Sequence, residues 1–314
     1  MRFFIFDIFP RFFKSRTYPM RIALYSRQLK PDDIPFVQTV VAMLQKSGID
    51  CLLYDLLHRE LQQQLQEIQT AMPTFDSHDS LAGRADFLFS IGGDGTLLNT
   101  ITLVQDLNIP VLGINSGRLG FLTDVHKDEF TTQLLTALQS GNFTLDSRTI
   151  LRADSNRPAL FADAPYALNE FTIHKLDTSA MITVHTYVDG QFLNSYWADG
   201  IIVSTPTGST AYSLSCGGPI VYPSSQTFII TPVAPHNLNV RPIVIPDDKT
   251  ISFKVEGRGD AFLCTLDSRY ETIDHHYQIQ VSKERFMLQL VRLSGNDFFS
   301  TIRNKLMWGL DTRN

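Results

Sequence analysis

Gly92-Gly93-Asp94-Gly95-Thr96 sets one carboxylate among three glycines, directly after the apolar run Phe87-Leu88-Phe89-Ser90-Ile91 and directly before Leu97-Leu98-Asn99-Thr100-Ile101. A buried strand, a glycine turn and a helix start, in that order, suit phosphate chemistry. Backbone N–H groups approach a phosphate closely only where side chains are absent, and a helix N-terminus adds a partial positive charge. Asp94 is the odd member. An anion beside a phosphate costs energy unless it binds a metal or takes a proton, so it points to chemistry more than to anchoring. An isolated GGDG also fits a glycine-rich strand-to-helix turn in any α/β domain.

A second pattern runs from Asp199 to Ser215, DGIIVSTPTGSTAYSLS, and closes on Gly217-Gly218-Pro219. A strand leads into a turn crowded with hydroxyls and small residues, which can offer neutral donors to a polar ligand or cap its own backbone. Asn169-Glu170, just before Phe171-Thr172-Ile173, pairs an amide with a carboxylate at a strand start. Such a pair suits ribose hydroxyls, which both donate and accept, and equally suits an ordinary turn.

The elements that must hold these residues change character along the chain. From Met20 to about Thr149, strands alternate with helices, which predicts a parallel sheet covered by helices. Arg21 to Tyr25 reads as the first strand. Phe36, Val37, Val40, Val41 and Leu44 follow at helical spacing behind Pro31-Asp32-Asp33. Cys51 to Tyr54 is a second strand, and Leu57, Leu61, Leu65 and Ile68 mark one face of another helix. Phe75 to Arg84 reads as a polar loop, and the helix after the glycine turn is expected to run through Val104. Pro110 to Ile114 ends in Asn115-Ser116-Gly117-Arg118-Leu119-Gly120-Phe121-Leu122, a second glycine-rich strand end. Ligands of open parallel sheets sit at the carboxyl ends of strands, so the two ends are expected to wall one site.

After Thr149 period-2 alternation takes over, as in Ile182, Val184, Thr186 and Val188, followed by the hairpin dipeptide Asp189-Gly190. Short apolar runs at 228–233, 243–245, 251–255, 262–266, 279–281 and 287–293 predict a β-rich second domain. Phe298 to Trp308 returns to helical spacing and is expected to pack back on the first domain.

The chain has 314 residues, enough for two cores, with 43% hydrophobic and 19% charged residues and a net charge of −5. No basic stripe is present, which argues against nucleic acid as the main partner. Cys51, Cys216 and Cys264 are odd in number and widely spaced, so neither a disulfide framework nor a zinc site is expected, and a cytoplasmic location fits. Residues 1–19 carry a phenylalanine-rich run too short to span a bilayer, which takes about 20 apolar residues. They read either as an amphipathic surface anchor or as an extension ahead of a working start at Met20, and the second is preferred. No GxxxxGK[ST] loop and no GxGxxG after a strand occurs, so P-loop ATPase and dinucleotide-dehydrogenase readings lack their phosphate anchor.

Five separated segments together resemble the NAD kinases: GGDGT, GINSGRLGFL at 113–122, Asn169-Glu170, the 199–219 stretch, and PHNLNVRPIVIP at 235–246. The resemblance implies a doubly wound N-terminal α/β domain (20–149), a C-terminal β-sandwich-like domain (150–293) and a final segment (294–314) rejoining the first domain. It implies phosphoryl transfer from ATP to the 2′-hydroxyl of the adenosine ribose of NAD, with Asp94 as general base. Gly92, Gly93, Gly95 and Thr96 would hold donor phosphates together with a divalent cation, Mg²⁺. Asn169 and Glu170 would bind ribose hydroxyls and adenine, and Asp199 the nicotinamide end. Thr210, Ala211, Tyr212, Ser213, Leu214 and Ser215 would wall the adenine side, with Ala180 and Arg269 at further NAD-contact positions. A dimer or tetramer is implied, with no membrane partner. Trp197 stands where some relatives carry a basic residue, Arg269 where an uncharged amide is common, and Cys216 where alanine is common. A diacylglycerol-type lipid kinase would share GGDGT yet leave the Thr205 to Ser215 turn without a purpose. A silent NAD-binding sensor would have no need of Asp94.

Overall fold

The computed structural model describes residues 19–64, 72–117, 120–123, 125–157, 160–162, 164–176, 180–293 and 297–308. The N-terminal extension, Leu65 and Ile68 of the second helix, and Arg118 and Leu119 lie outside the described residues. The chain divides into two compact units, one of the residues up to Asp146 together with those from Gln289 onward, the other Ser147–Leu288.

The first unit is built on parallel strands β1 (Arg21–Tyr25), β2 (Asp50–Tyr54), β3 (Thr74–Phe75), β4 (Phe87–Ile91), β5 (Val111–Asn115) and β6 (Val125–His126). Their order is β5-β4-β1-β2-β3, with β6 also on β5. Every residue of β4 and β5 is buried, which is why both read as unbroken apolar runs and not as alternation. Helix α1 (Ile34–Lys46) buries Ile34, Val37, Val40 and Leu44, one stripe at helical spacing. Helix α2 (Asp55–Gln64) sinks Leu57 and Leu61 into the same core.

The 75–84 stretch differs from the expected loop. Helix α3 (His78–Leu81) forms there behind a capping box of Ser77 and Ser80. One turn is too short to display an apolar period, so the capping residues were its available signal. The helix after the glycine turn also differs, dividing into α4 (Asp94–Asn99) and α5 (Ile101–Val104) at Thr100, whose hydroxyl donates to the Leu97 carbonyl at 2.7 Å. Helix α6 (Thr132–Ser140) stops at Gly141, which takes the left-handed conformation (φ +73°).

The second unit begins within β7 (Thr144–Ser155), which pairs with β8 (Tyr166–Ala167). It then builds two antiparallel sheets from β9 (Glu170–Lys175), β10 (Ile182–Val188), β11 (Gln191–Ala198), β12 (Gly200–Ser204), β13 (Thr227–Val233), β14 (Ile243–Pro246), β15 (Ile251–Glu256), β16 (Phe262–Leu266), β17 (Arg269–Ile273) and β18 (Gln278–Arg292). One sheet has the order β14-β13-β12-β9-β16-β17, and the other runs β11-β10-β15-β18. A single core joins them, with Phe171 of β9 stacked on Phe253 of β15 at 6.0 Å. The β10–β11 hairpin turns at Asp189 (φ +49°) and Gly190 (φ +77°), the two left-handed residues that a type I′ turn requires.

The two runs expected near 279–281 and 287–293 are one strand. The polar stretch Ser282-Lys283-Glu284-Arg285 interrupts the apolar pattern of β18 without interrupting its backbone. Its last residues belong to the first unit, where Leu290 pairs with Val111. Short helix α7 (Tyr212–Ser215) closes the hydroxyl-rich turn, and α8 (Phe298–Leu306) follows β18 in the first unit.

Candidate active site

In the first unit the glycine turn and the second strand end form one cluster around Asp94. Oδ2 of Asp94 accepts the Phe121 amide at 2.7 Å. Oδ1 accepts the Leu122 and Thr123 amides, each at 3.2 Å, and the Thr123 hydroxyl at 3.3 Å. The buried Asn115 amide donates to Thr123 Oγ1 at 2.9 Å, so a chain of hydrogen bonds runs from the end of β5 to the carboxylate. A carboxylate offers about four acceptor positions. Oδ1 carries three of these bonds and Oδ2 one, so Oδ2 is the oxygen with room for an incoming hydroxyl.

Glycines make this packing possible. A methyl group at Gly120 would fall 1.7 Å from Asp94 Oδ1, and one at Gly92 (φ +148°) 2.4 Å from Thr96 Oγ1. Gly113 is pressed between Leu97 and the Thr123 backbone. Gly93 and Gly95 differ from these, being exposed with open space at the Cβ position, so the backbone there is accessible to a phosphate.

In the second unit, Asn169 and Glu170 join β8 to β9. The Asn169 carbonyl accepts the Thr205 amide at 2.9 Å, and Gly208 lies so close that a methyl group would meet that carbonyl oxygen at 2.2 Å. Among the described residues the Asn169 side-chain amide has no partner. Glu170 accepts the Tyr212 amide, while its Oε2 is buried without a partner. Burial, and after it the charge of Asp267, pushes the Glu170 carboxyl up to about 8. At neutral pH it therefore keeps its proton and can donate as well as accept.

Asp199 is engaged by Lys175 Nζ at 2.6 Å. The His174 ring lies 5.5 Å from the Tyr212 ring, and burial holds its imidazole below the ordinary range, against the opposing pull of Asp199. Asn169, Glu170, Tyr212, His174 and Asp199 thus make one continuous cluster. Thr210, Ala211 and Leu214 are half-buried beside it, Tyr212 and Ser215 are exposed, and Ala180 is half-buried on the approach to β10.

Of the two readings of the hydroxyl-rich turn, ligand donors or self-capping, the hydrogen bonds follow the second at Ser209 and Thr210. Thr205 Oγ1 donates to the Leu168 carbonyl at 2.5 Å, Ser209 to Pro206 at 2.7 Å and Thr210 to Thr207 at 3.3 Å. Ser213 is fully buried against Thr231 at 2.9 Å, which leaves its hydroxyl no surface for a ligand. Ser209 and Thr210 shape the turn by capping its own backbone, while Thr205 and Ser213 tie it to the neighbouring Leu168 and Thr231. Arg269 donates to the carbonyls of Ala164 and Tyr166 and lies over the Phe161 ring, so a ligand contact from its guanidinium would displace those bonds. Burial pushes the Cys216 thiol up, consistent with a packing residue. Asp267, His174 and Lys175 carried no sequence signal, since what marks them is proximity across strands.

Sequence comparison matches residues 22–143 to the ATP-NAD kinase N-terminal domain and residues 168–293 to the ATP-NAD kinase C-terminal domain. The NAD kinase of Cytophaga hutchinsonii is 49% identical over 295 residues, covering 94% of this chain and 100% of its own. That of Flavobacterium johnsoniae is 40% identical over 296 residues, with the same coverage. Among solved structures, yeast NADH kinase complexed with NADH superposes with a TM-score of 0.85 at 23% identity, over 95% of this chain and 90% of its own. An NAD kinase from Archaeoglobus fulgidus in complex with ATP gives 0.69 at 25% identity, over 92% and 99%.

Proposed function

The chain belongs to the NAD kinase family, and on that premise we propose how its residues divide the work of the reaction it performs, ATP-dependent phosphorylation of NAD to NADP. Asp94 is the general base. Its Oδ2 takes the proton of the 2′-hydroxyl as that oxygen bonds to the γ-phosphorus and the bond to the ADP oxygen breaks. The observation that supports this role is the lopsided bonding of the carboxylate, three donors on Oδ1 and one on Oδ2, which orients the group while leaving one oxygen open. Gly93 and Gly95 present bare backbone to the donor phosphates, and Gly92 and Thr96 hold the turn's shape. Positioning of this kind dominates catalysis of phosphoryl transfer.

NAD is held by Asn169 and Glu170 through ribose hydroxyls and adenine, by Tyr212 and its neighbours Thr210, Ala211, Leu214 and Ser215 along the adenine, and by Asp199 at the nicotinamide end. Among the described residues no three His, Cys, Asp or Glu side chains gather to hold an ion. The divalent cation, Mg²⁺, is expected to enter on the triphosphate as part of the substrate. The three cysteines are free, and no helix among the described residues is long and apolar enough to cross a membrane. A homo-oligomer is expected, and light scattering of the purified protein tests it. NADP formation from NAD and ATP with Mg²⁺, read by an NADP-specific dehydrogenase, tests the roles: Asp94→Asn should lose at least about 10²-fold in kcat. A variant within tenfold of the parent would remove Asp94 as the base.

A further inference from the structure

Asp267 sits in the turn between β16 and β17 at φ +50°, far in sequence from Asn169 and Glu170. Its carboxylate gathers three consecutive amides: Oδ2 accepts Leu168 N–H at 2.8 Å, and Oδ1 accepts Asn169 at 2.9 Å and Glu170 at 3.1 Å. The Asp267 amide in turn donates to the Glu170 carbonyl at 3.0 Å, so the 168–170 backbone is gripped in both directions. Thr205 holds the same segment from the other side. Set against this pinned backbone are the two side chains it carries. Among the described residues the Asn169 amide is unpartnered and Glu170 Oε2 is buried without a partner. Native proteins rarely leave a buried group such as Glu170 Oε2 unsatisfied. A rigid backbone presenting unpaired polar groups is the arrangement of a preorganised binding surface.

We propose that Asp267 is a positioning residue for the acceptor nucleotide, clamping the amides of residues 168–170 so that Asn169 and Glu170 stand preset for NAD. The proposal rests on the reading that these two residues hold NAD. The charge of Asp267 has a second effect, adding to burial in keeping the Glu170 carboxyl protonated. The other groups around Glu170 are Tyr212 and Cys216, which are neutral at pH 7. Burial pushes the Asp267 carboxyl up as well, against the opposing pull of the three amides and of Arg269. A protonated Glu170 can donate to a ribose oxygen or adenine nitrogen; an ionised one cannot.

Steady-state kinetics of Asp267→Asn and Asp267→Glu, with Asn169→Ala beside them, test the assignment. In Asp267→Asn one oxygen remains for two of the amides, an NH₂ group opposes the third, and the charge is gone. Its KM for NAD should rise at least tenfold, with kcat within threefold and KM for ATP within twofold of the parent. The alkaline fall in kcat/KM for NAD, set in the parent near 8 by Glu170, should move to lower pH. Asp267→Glu keeps the charge but displaces the carboxylate, so its KM should rise while the alkaline break stays. A purely architectural role would lower the folded fraction and hence apparent kcat, leaving KM for NAD and its pH profile unmoved, and that result would overturn the proposal. So would failure of both variants to fold. If Asn169→Ala raises KM for NAD and neither Asp267 variant does, the positioning role alone falls. If Asn169→Ala also leaves KM unchanged, the NAD assignment itself is wrong.

Discussion

Gly120→Ala probes the Asp94 cluster without altering any group that touches substrate. The added methyl would lie 1.7 Å from Asp94 Oδ1, 2.2 Å from its Cγ and 2.5 Å from Oδ2, whereas real Cβ atoms essentially never approach within 3.0 Å. The carboxylate must therefore retreat by more than an ångström. All three clashing atoms belong to the Asp94 side chain, so the cheapest relief is rotation of that side chain, which gives up the bonds from Phe121, Leu122 and Thr123. Stability should fall by about 1–3 kcal/mol for amides that lose their acceptor. Activity should fall further, since an ångström of misplacement at a reacting group costs about 10²-fold. The coupled NADP assay should show that loss in kcat with KM for NAD within about threefold, while thermal unfolding shows a folded protein. Combined with Asp94→Asn the two losses should not add, because both remove one function. A folded Gly120→Ala protein with kcat within threefold of the parent would show that the position of the carboxylate does not govern the reaction.

The remaining expectations concern the second unit. Burial raises the Glu170 carboxyl to about 8, from about 4.3 in an unfolded chain. Between those values the folded protein binds the extra proton, so this group's contribution to stability declines as pH rises from about 4.5 to 8 and is level above. Glu170→Gln lacks that titration, and its melting temperature relative to the parent should be higher at pH 8.5 than at pH 5; an offset independent of pH would count against the buried protonated acid. Thr205→Val leaves the Leu168 carbonyl and the Gly208 amide without their hydroxyl partner in a fully buried site, and urea unfolding should report a loss of about 1–3 kcal/mol. Gly208→Ala drives a methyl into the Asn169 backbone at 2.2–2.7 Å, where no flexible side chain can yield. It should raise KM for NAD at least tenfold with KM for ATP unchanged, and equal effects on both would point to a general loss of folding instead.

Much of this protein is local information, and that part was legible in the residues. Period 3.6 in Val37, Val40 and Leu44, period 2 in β10, β15 and β16, and the Asp189-Gly190 turn are each written within a dozen residues, because one face of each element must be buried. GGDGT and the Asp199 to Ser215 stretch stood out as candidate sites for the same reason: bare backbone and clustered hydroxyls are composition. The elements that escaped were those without a period to read, such as the one-turn helix α3 and the polar middle of β18.

Which groups are free to act was decided by tertiary structure alone. The hydroxyls of Thr205, Ser209 and Ser213 look like ligand donors in one dimension and are bonded to Leu168, Pro206 and Thr231 in three. Asp94 has an open oxygen only because residues 120–123 fold over its other side, and Asp267 grips three amides nearly a hundred positions away. Hydrogen bonds and burial depend on distance through space. A sequence lists donors and acceptors, and only the folded chain determines which of them have already found one another.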